Sequence, residues 1–306
     1  METVYVGGRS LVNHTKAIVT LAVGDRYLHH WRSTCEANWR AYAAQHGFDV
    51  ICLDKPLDNS ERARKRSPAW QKCLILEQDF AQDYERIVWI DSDIMINAAA
   101  ALDIIAGVLP EKIGAVEEYP YSREWRHYRQ TVHDRIYDFC EGHAVVNYTA
   151  REYYMTYGLP SGFDEVANTG VLVLSPRHHR AVLERTYFEY EEKGGREWQM
   201  EMRPLSYEML KAGCVQWIDP RFNVMWPAVL FLHYPFLIRP TMDHSYVARV
   251  KRKLGAIMNL PSLTTIKEAC LTATYLNSFF LHFGGLATDE MRLVNQRVNS
   301  WRDFQF

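Results

Sequence analysis

The stretch Arg86-Ile87-Val88-Trp89-Ile90-Asp91-Ser92-Asp93 is an apolar run that ends abruptly in two carboxylates. Four consecutive apolar residues suit a strand buried on both faces, as in a parallel sheet covered by helices, and such sheets bind ligands beyond the carboxyl ends of their strands. Asp91 and Asp93 therefore stand where a ligand would bind. Residues two apart project to the same side of a strand, so the pair can face one hard divalent cation, Mn²⁺ or Mg²⁺, whose other positions take phosphate oxygens. The plainer reading is a solvated turn after a strand, and these eight residues alone do not choose between the two.

The flanking sequence supplies the rest of a sheet. Residues 16–23 (KAIVTLAV) read as a first buried strand, after which Gly24-Asp25 opens a helix with Leu28, Trp31, Cys35, Trp39 and Tyr42 recurring at three and four. Gly47 ends it, and residues 48–54 (FDVICLD) form a second strand. A basic loop over 61–66 precedes Ser67-Pro68, an N-cap followed by proline at the first helical position, and the helix so begun carries Lys72 into the Asp91 strand. Strand and helix alternate here as in a nucleotide-binding α/β unit. Further strands are expected at 112–118, 166–175 and 214–219, with a charged helix after Ser175 and a second helix near 204–210.

Residues 119–158 depart from this pattern, being rich in tyrosine, arginine and histidine, and read as an insertion or lid. Trp125, Tyr128, Val132, Ile136 and Phe139 form a helical stripe within it, which is packed core before it is ligand surface. Residues 226–238 are aromatic and apolar around His233, suited to internal packing or to a lipid-linked acceptor.

With 306 residues, 48% of them hydrophobic, the chain can bury a full core. Its formal charge of −2 argues against a nucleic-acid surface, which needs a basic excess. Six widely spaced cysteines without a CxxC pair are expected to be reduced thiols. No signal-peptide pattern or uncharged stretch of membrane-spanning length is visible, so the expectation is a cytoplasmic protein, with peripheral contact at the inner face of the membrane left open. Oligomeric state is not legible.

Taken in order, KAIVTLAVGDRY, IVWIDSD, VANTGVLVLS, EMRPLS, IDPRFNV and LHFGG resemble a GT-A fold glycosyltransferase, in particular the retaining glycogenin-like and bacterial galactosyltransferase-like group and the fungal and plant galactosyl- and xylosyltransferases. The resemblance covers neither 119–163 nor 226–274. It implies an α/β, Rossmann-like, mostly parallel sheet flanked by helices, with a helical insertion and a C-terminal extension. One domain is expected over 1–306: a nucleotide-binding half at 16–118, the insertion at 119–163, a donor-sugar and acceptor half at 164–288, and a C-terminal helix at 289–306.

Residue by residue, the resemblance assigns Asp91 and Asp93 to the DxD motif and His282 to the histidine that completes a metal shell, whose mixed oxygen and nitrogen donors suit Mn²⁺ somewhat better than Mg²⁺. His282 on its own would read as a core histidine. Asn168, Thr169 and Gly170 match the segment lining the donor sugar, where an amide can bond hydroxyls and glycine admits close approach; as sequence they could be a turn entering a strand. Asp25 and Tyr27 match the base and ribose positions, although Asp25 also reads as a helix cap. Lys72 faces the diphosphate or sugar unless it is an exposed helical lysine, and Gly285 belongs to the late H-x-x-G-G block.

Two departures stand out. Glu201-Met202 replaces Asp-Gln, so the carboxylate remains as a sugar-orienting candidate while the amide is missing, with Asp164 and Glu165 as lesser contributors. Thr288 falls where the family has a diphosphate-gripping lysine, leaving that task to Lys72, to Arg292 or to the metal.

The implied activity is metal-dependent transfer of a sugar, with retention, from a nucleoside-diphosphate sugar, UDP-sugar favoured, to a glycan or glycolipid acceptor. Asp91, Asp93, Glu201 and Asn168 are the catalytic candidates. The alternatives are an inverting glycosyltransferase, a phosphatase of the haloacid dehalogenase type, and a non-catalytic nucleotide-sugar-binding relative. The acceptor is expected between the insertion, with its Arg126 and Arg129, and residues 226–238, and those guanidinium groups would suit an anionic one.

Overall fold

Nine short strands carry the architecture of the computed structural model, which describes residues 15–118, 149–160, 162–193, 200–237, 262–284, 288–297 and 300–302. Strands β1 (Lys16–Leu21), β2 (Asp49–Leu53), β3 (Arg86–Ile90), β5 (Ile113–Glu117), β6 (Ala167–Leu174) and β7 (Val215–Trp217) form a six-stranded sheet in the order β2-β1-β3-β6-β5-β7. Five strands share one direction and β6 opposes them. Alternation sorts their side chains: Ile18, Val88 and Ile90 pack with Trp31, Trp39 and Tyr42 on one face, while Ala17, Val19, Ile87 and Trp89 pack with Trp70, Leu183 and Met209 on the other. The result is the mixed α/β fold expected, a mostly parallel sheet with helices on both faces.

A second sheet of three strands, β4 (Ile94–Ile96), β9 (Phe280–His282) and β8 (Val224–Met225), lies beyond the first. β4 follows the Asp91-Ser92-Asp93 turn directly and pairs antiparallel with β9, Ile94 opposite His282. Phe283 N also donates to Asp93 O at 3.1 Å. The ladder thus delivers the late histidine to the early carboxylates.

Several local expectations change. The first helix is two, Asp25–Thr34 and Glu36–His46, meeting at Cys35; Gly24, with φ 92°, holds the cap position instead of Asp25, and Gly47, with φ 71°, closes the second. The basic loop contains a helical turn, Glu61–Arg64, capped by Ser60. Pro68–Glu77 winds as a 3-10 helix, with the Ser67 hydroxyl accepting from Ala69 N as its cap. The described residues of 289–306 do not form the expected helix: a 3-10 segment, Thr288–Leu293, is followed by turns. The stripe from Trp125 to Phe139 lies outside the described residues, whereas Ala150–Met155 is a helix with a full capping box at Thr149 and Glu152 and sits in a small core of Tyr153, Tyr154, Tyr157 and Val166. The five cysteines among the described residues are free thiols. No helix among them is long and apolar enough to cross a membrane.

The helix Pro176–Glu189 carries a titratable group in its first turn. His179 is 1% exposed and its Nδ1 accepts from Ser175 N at 2.9 Å, so burial pushes its pKa down to about 4. Between pH 4 and 6.5 the unfolded chain binds the extra proton, hence stability rises with pH across that window. The neutral ring contributes about 3 kcal/mol above pH 6.5, lost as the pH falls toward 4. His179→Gln is expected to flatten this slope in urea unfolding at pH 4.5 and 7; an unaltered slope would assign the acid sensitivity elsewhere.

Candidate active site

The strand directions explain why the site residues meet. β1, β3 and β5 end at the same edge, and β6, running the other way, begins there, so Asn168-Thr169-Gly170 lies beside the turn after β3. Asp91 N donates to Gly170 O at 2.8 Å. Between the pairs Ala115↔Leu172 and Val116↔Asn168 the β5–β6 register shifts, a bulge of the kind that re-aims side chains at functional edges. It leaves Thr169, Gly170 and Val171 without a β5 partner in the ladder.

Asp91 and Asp93 do not share a strand face as expected. β3 ends at Ile90, and a turn closed by Ile94 N to Asp91 O, 3.2 Å, brings the two carboxylates together. Trp39 Nε1 on Ile94 O and Asn38 Oδ1 on Ile96 N hold the outgoing strand. Asp91, Asp93 and His282 offer ligand atoms that all lie within 4.8 Å of one another.

The tautomer of His282 follows from one backbone proton. Gly170 N can only donate, so the atom of Asn168 that it meets at 2.7 Å is Oδ1. The same oxygen therefore accepts Asn223 Nδ2 at 2.7 Å, which turns Asn223 Oδ1 toward His282 Nδ1 at 2.9 Å. Nδ1 must carry a proton, and in the neutral ring the lone pair is on Nε2, which faces Asp93 Oδ1 at 3.4 Å. An imidazole with its far nitrogen tied to an amide and its near nitrogen turned to two carboxylates is the orientation of a metal ligand. The donor set fits Mn²⁺ or Mg²⁺ held by Asp91, Asp93 and His282. Burial opposes a charge on the ring, but the neighbouring carboxylates, Asp93 foremost, raise its pKa above the ordinary histidine value.

Gly170 answers to this ring. A Cβ there would stand 2.6 Å from His282 Cε1 and 2.9 Å from its Nδ1. The close approach that glycine permits is thus by the histidine. Gly170→Ala should displace the ring and weaken Mn²⁺ binding about 10- to 100-fold, the usual cost of disturbing a ligand's support, with the fold kept. Mn²⁺ titration by calorimetry checks this, and unchanged affinity would mean that His282 is not a ligand.

Lys72 is buried and is not the exposed lysine of the plainer reading. Its Nζ lies 3.0 Å from Asp91 Oδ1, 2.7 Å from Glu201 Oε1 and 3.1 Å from Thr169 O. Burial works against the ammonium, yet Asp91 and Glu201 together hold its pKa above the ordinary lysine value, so it stays charged. Trp89 Nε1 also donates to Asp91 Oδ1 at 2.7 Å, and Thr169 Oγ1 to Glu201 Oε1 at 3.0 Å. Glu201 thereby joins the site through Lys72 from just ahead of the helix Met202–Lys211.

Asn168 was expected to offer its amide to a sugar. Its Oδ1 instead takes two protein donors, and its Nδ2 donates to Glu118. Asn223 and Glu118 were not singled out from sequence, although both sit in segments recognised there: Asn223 in IDPRFNV, and Glu118 just past β5. Burial pushes the Glu118 carboxyl up to about 7. Asp25 and Tyr27 stand past the end of β1 and are exposed, Tyr27 by 63%. Gly285 lies outside the described residues. Arg292 is 73% exposed beside Asp289, and Asp164 pairs with Arg151 at 2.8 Å, so neither joins the cluster.

No protein-family model matches the chain, and no curated protein matches it. Among solved structures, it is similar to a glycosyltransferase involved in the glycosylation of the major capsid of PBCV-1, at TM-score 0.49 and 13% identity over 91% of this chain and 100% of that one. It is similar also to the bifunctional glycosyltransferase WbbM, at 0.45 and 11% over 91% of this chain and 47% of that one. A third is the galactosyltransferase LgtC, solved with donor and acceptor sugar analogues, at 0.39 and 13% over 90% and 94%. All three are glycosyltransferases, and they are distant enough that what the site does must be read from this chain's own residues.

Proposed function

We propose that the protein is a metal-dependent glycosyltransferase that moves a sugar from a nucleoside-diphosphate sugar, UDP-sugar favoured, to a glycan or glycolipid acceptor, with retention. The observation that carries this reading is the convergence of Asp91, Asp93 and His282 next to the buried Lys72–Glu201 pair at the carboxyl edge of the sheet. A divalent cation held by the first three residues, Mn²⁺ ahead of Mg²⁺, supplies Lewis-acid stabilisation of a departing diphosphate.

Each protein group has a task. Lys72 places fixed positive charge behind Asp91, where negative charge gathers on the leaving phosphate. Glu201, anchored by Lys72 and Thr169, presents a carboxylate to the sugar hydroxyls. Asn168 and Asn223 hold His282 in its tautomer and are positioning residues. In the retaining course the bond from the anomeric carbon to the diphosphate breaks, the acceptor oxygen bonds the same face, and its proton passes to the departing phosphate. A phosphatase of the haloacid dehalogenase type would leave His282 and Glu201 without a task.

One observation favours a second course. Glu118, half-buried beside Asn168 with its carboxyl pushed up to about 7, has the basicity of a general base for an inverting transfer. The anomeric configuration of the product, read by NMR, separates the two.

The function itself is tested by thermal shift with a panel of UDP- and GDP-sugars, with and without Mn²⁺. The expected result is stabilisation by one nucleotide class and only with the metal, accompanied by nucleotide release. Stabilisation without turnover would leave a sugar-nucleotide-binding protein; no shift with any member would end the reading.

A further inference from the structure

Beside the metal-site amides lies a cavity of about 540 Å³, a volume typical of small-molecule sites. Asn168 and Asn223 are among its lining residues. Its walls come from the edge of the main sheet, from the segment 220–225, from the helix Trp226–His233 and from the end of the helix Leu263–Asn277. The lining is mostly apolar: Trp217, Val224, Met225, Val229 and Tyr234 face it, with Thr274, Asn277 and Ser278 offering neutral hydrogen-bonding groups. Such an arrangement suits the apolar face and the hydroxyl rim of a sugar ring.

Charge narrows the occupant. Arg221, the one arginine among the described wall residues, is engaged by Asp219 through Nε to Oδ1 at 3.0 Å and Nη2 to Oδ2 at 2.7 Å, and its guanidinium lies 4.1 Å from the centre of the Phe279 ring. Glu117 and His233 add a carboxylate and an imidazole to the same wall. Among the described wall residues, an anion entering here would meet a guanidinium already neutralised by Asp219. We propose that this cavity is the acceptor site and that it takes an uncharged carbohydrate with an apolar face. The inference rests on the glycosyl-transfer reading above. It differs from the arginine-paired, anionic acceptor that the composition of the insertion suggests; Arg126 and Arg129 lie outside the described residues.

The test uses the full chain with Mn²⁺ and the nucleotide sugar that stabilises it. Nucleotide release is followed while octyl lactoside, maltoside and cellobioside are added, then the same glycosides carrying a terminal uronic or sialic acid. At least one neutral glycoside should accelerate release tenfold or more over hydrolysis. Ala228→Phe, which fills the cavity, and Tyr234→Ala, which removes a wall, should each lower kcat/KM for that glycoside at least tenfold. Stabilisation by the nucleotide and Mn²⁺, measured on both variants, reports that fold and donor site survive. Acceleration by anionic glycosides alone, by none of the panel, or undiminished in two folded variants would overturn the proposal. Failure of every nucleotide sugar to stabilise the wild type would instead remove the glycosyl-transfer reading, and this inference with it.

Discussion

Asp93→Asn is expected to lower sugar transfer by about a thousandfold, because the contribution of a bound divalent cation to such a leaving group is several kcal/mol and each 1.4 kcal/mol is a factor of ten. The fold should be little affected. Asp93 belongs to a turn whose backbone bonds, Phe283 N to Asp93 O among them, do not use the carboxylate, and asparagine keeps its shape. The thermal midpoint in EDTA should therefore match the wild type within a few degrees, while the stabilisation by Mn²⁺ disappears. Wild-type transfer in metal-depleted buffer, or a fully active Asp93→Asn, would rule out the metal site.

Lys72→Met should act on stability as well as on rate. The substitution leaves Glu201, with a side chain 3% exposed, and Asp91 without the ammonium that compensates them. Removing one partner of a buried pair typically costs about 3–5 kcal/mol, which for a chain of this size is a drop on the order of 10 °C in midpoint. Lys72→Met with Glu201→Gln should recover part of that loss, since the amide needs no counter-charge. Transfer should stay low in the double variant, as the fixed positive charge is still missing. A single variant melting within a degree of the wild type would show that the pair contributes nothing to the fold.

The parts of the site that a reader of the sequence can find are those written in local chemistry. An apolar run broken by two acids marks the end of β3, and the late histidine is recognisable from its glycine neighbours. Asn223 and Glu118 escape because their importance is a matter of wiring: each matters through Asn168, and a hydrogen bond between distant strands leaves no period in the chain. Side-chain alternation likewise placed Asp91 and Asp93 on one strand face, since nothing in eight residues announces that the strand stops at Ile90 and turns. The domain layout expected a helix over the C-terminal segment, yet Trp226 Nε1 and Lys267 both bond Glu290, and Met291 is buried, so tertiary contacts set the short 3-10 form of 288–293.

The pairing of β4 with β9 has a thermodynamic side. It closes a loop of nearly two hundred residues, an event whose entropic cost is about 5 kcal/mol before any contact is counted. A divalent ion bound by Asp91, Asp93 and His282 would tie together the two strands that this loop must bring into register. Metal affinity and docking of the terminal strand are then one linked equilibrium: whatever holds β9 in place raises affinity, and the ion in turn withholds β9 from local unfolding. Chelation should speed amide hydrogen exchange in β9 and β4 while leaving β1 and β2 unchanged, in which case the ion would act as a reversible staple on β9.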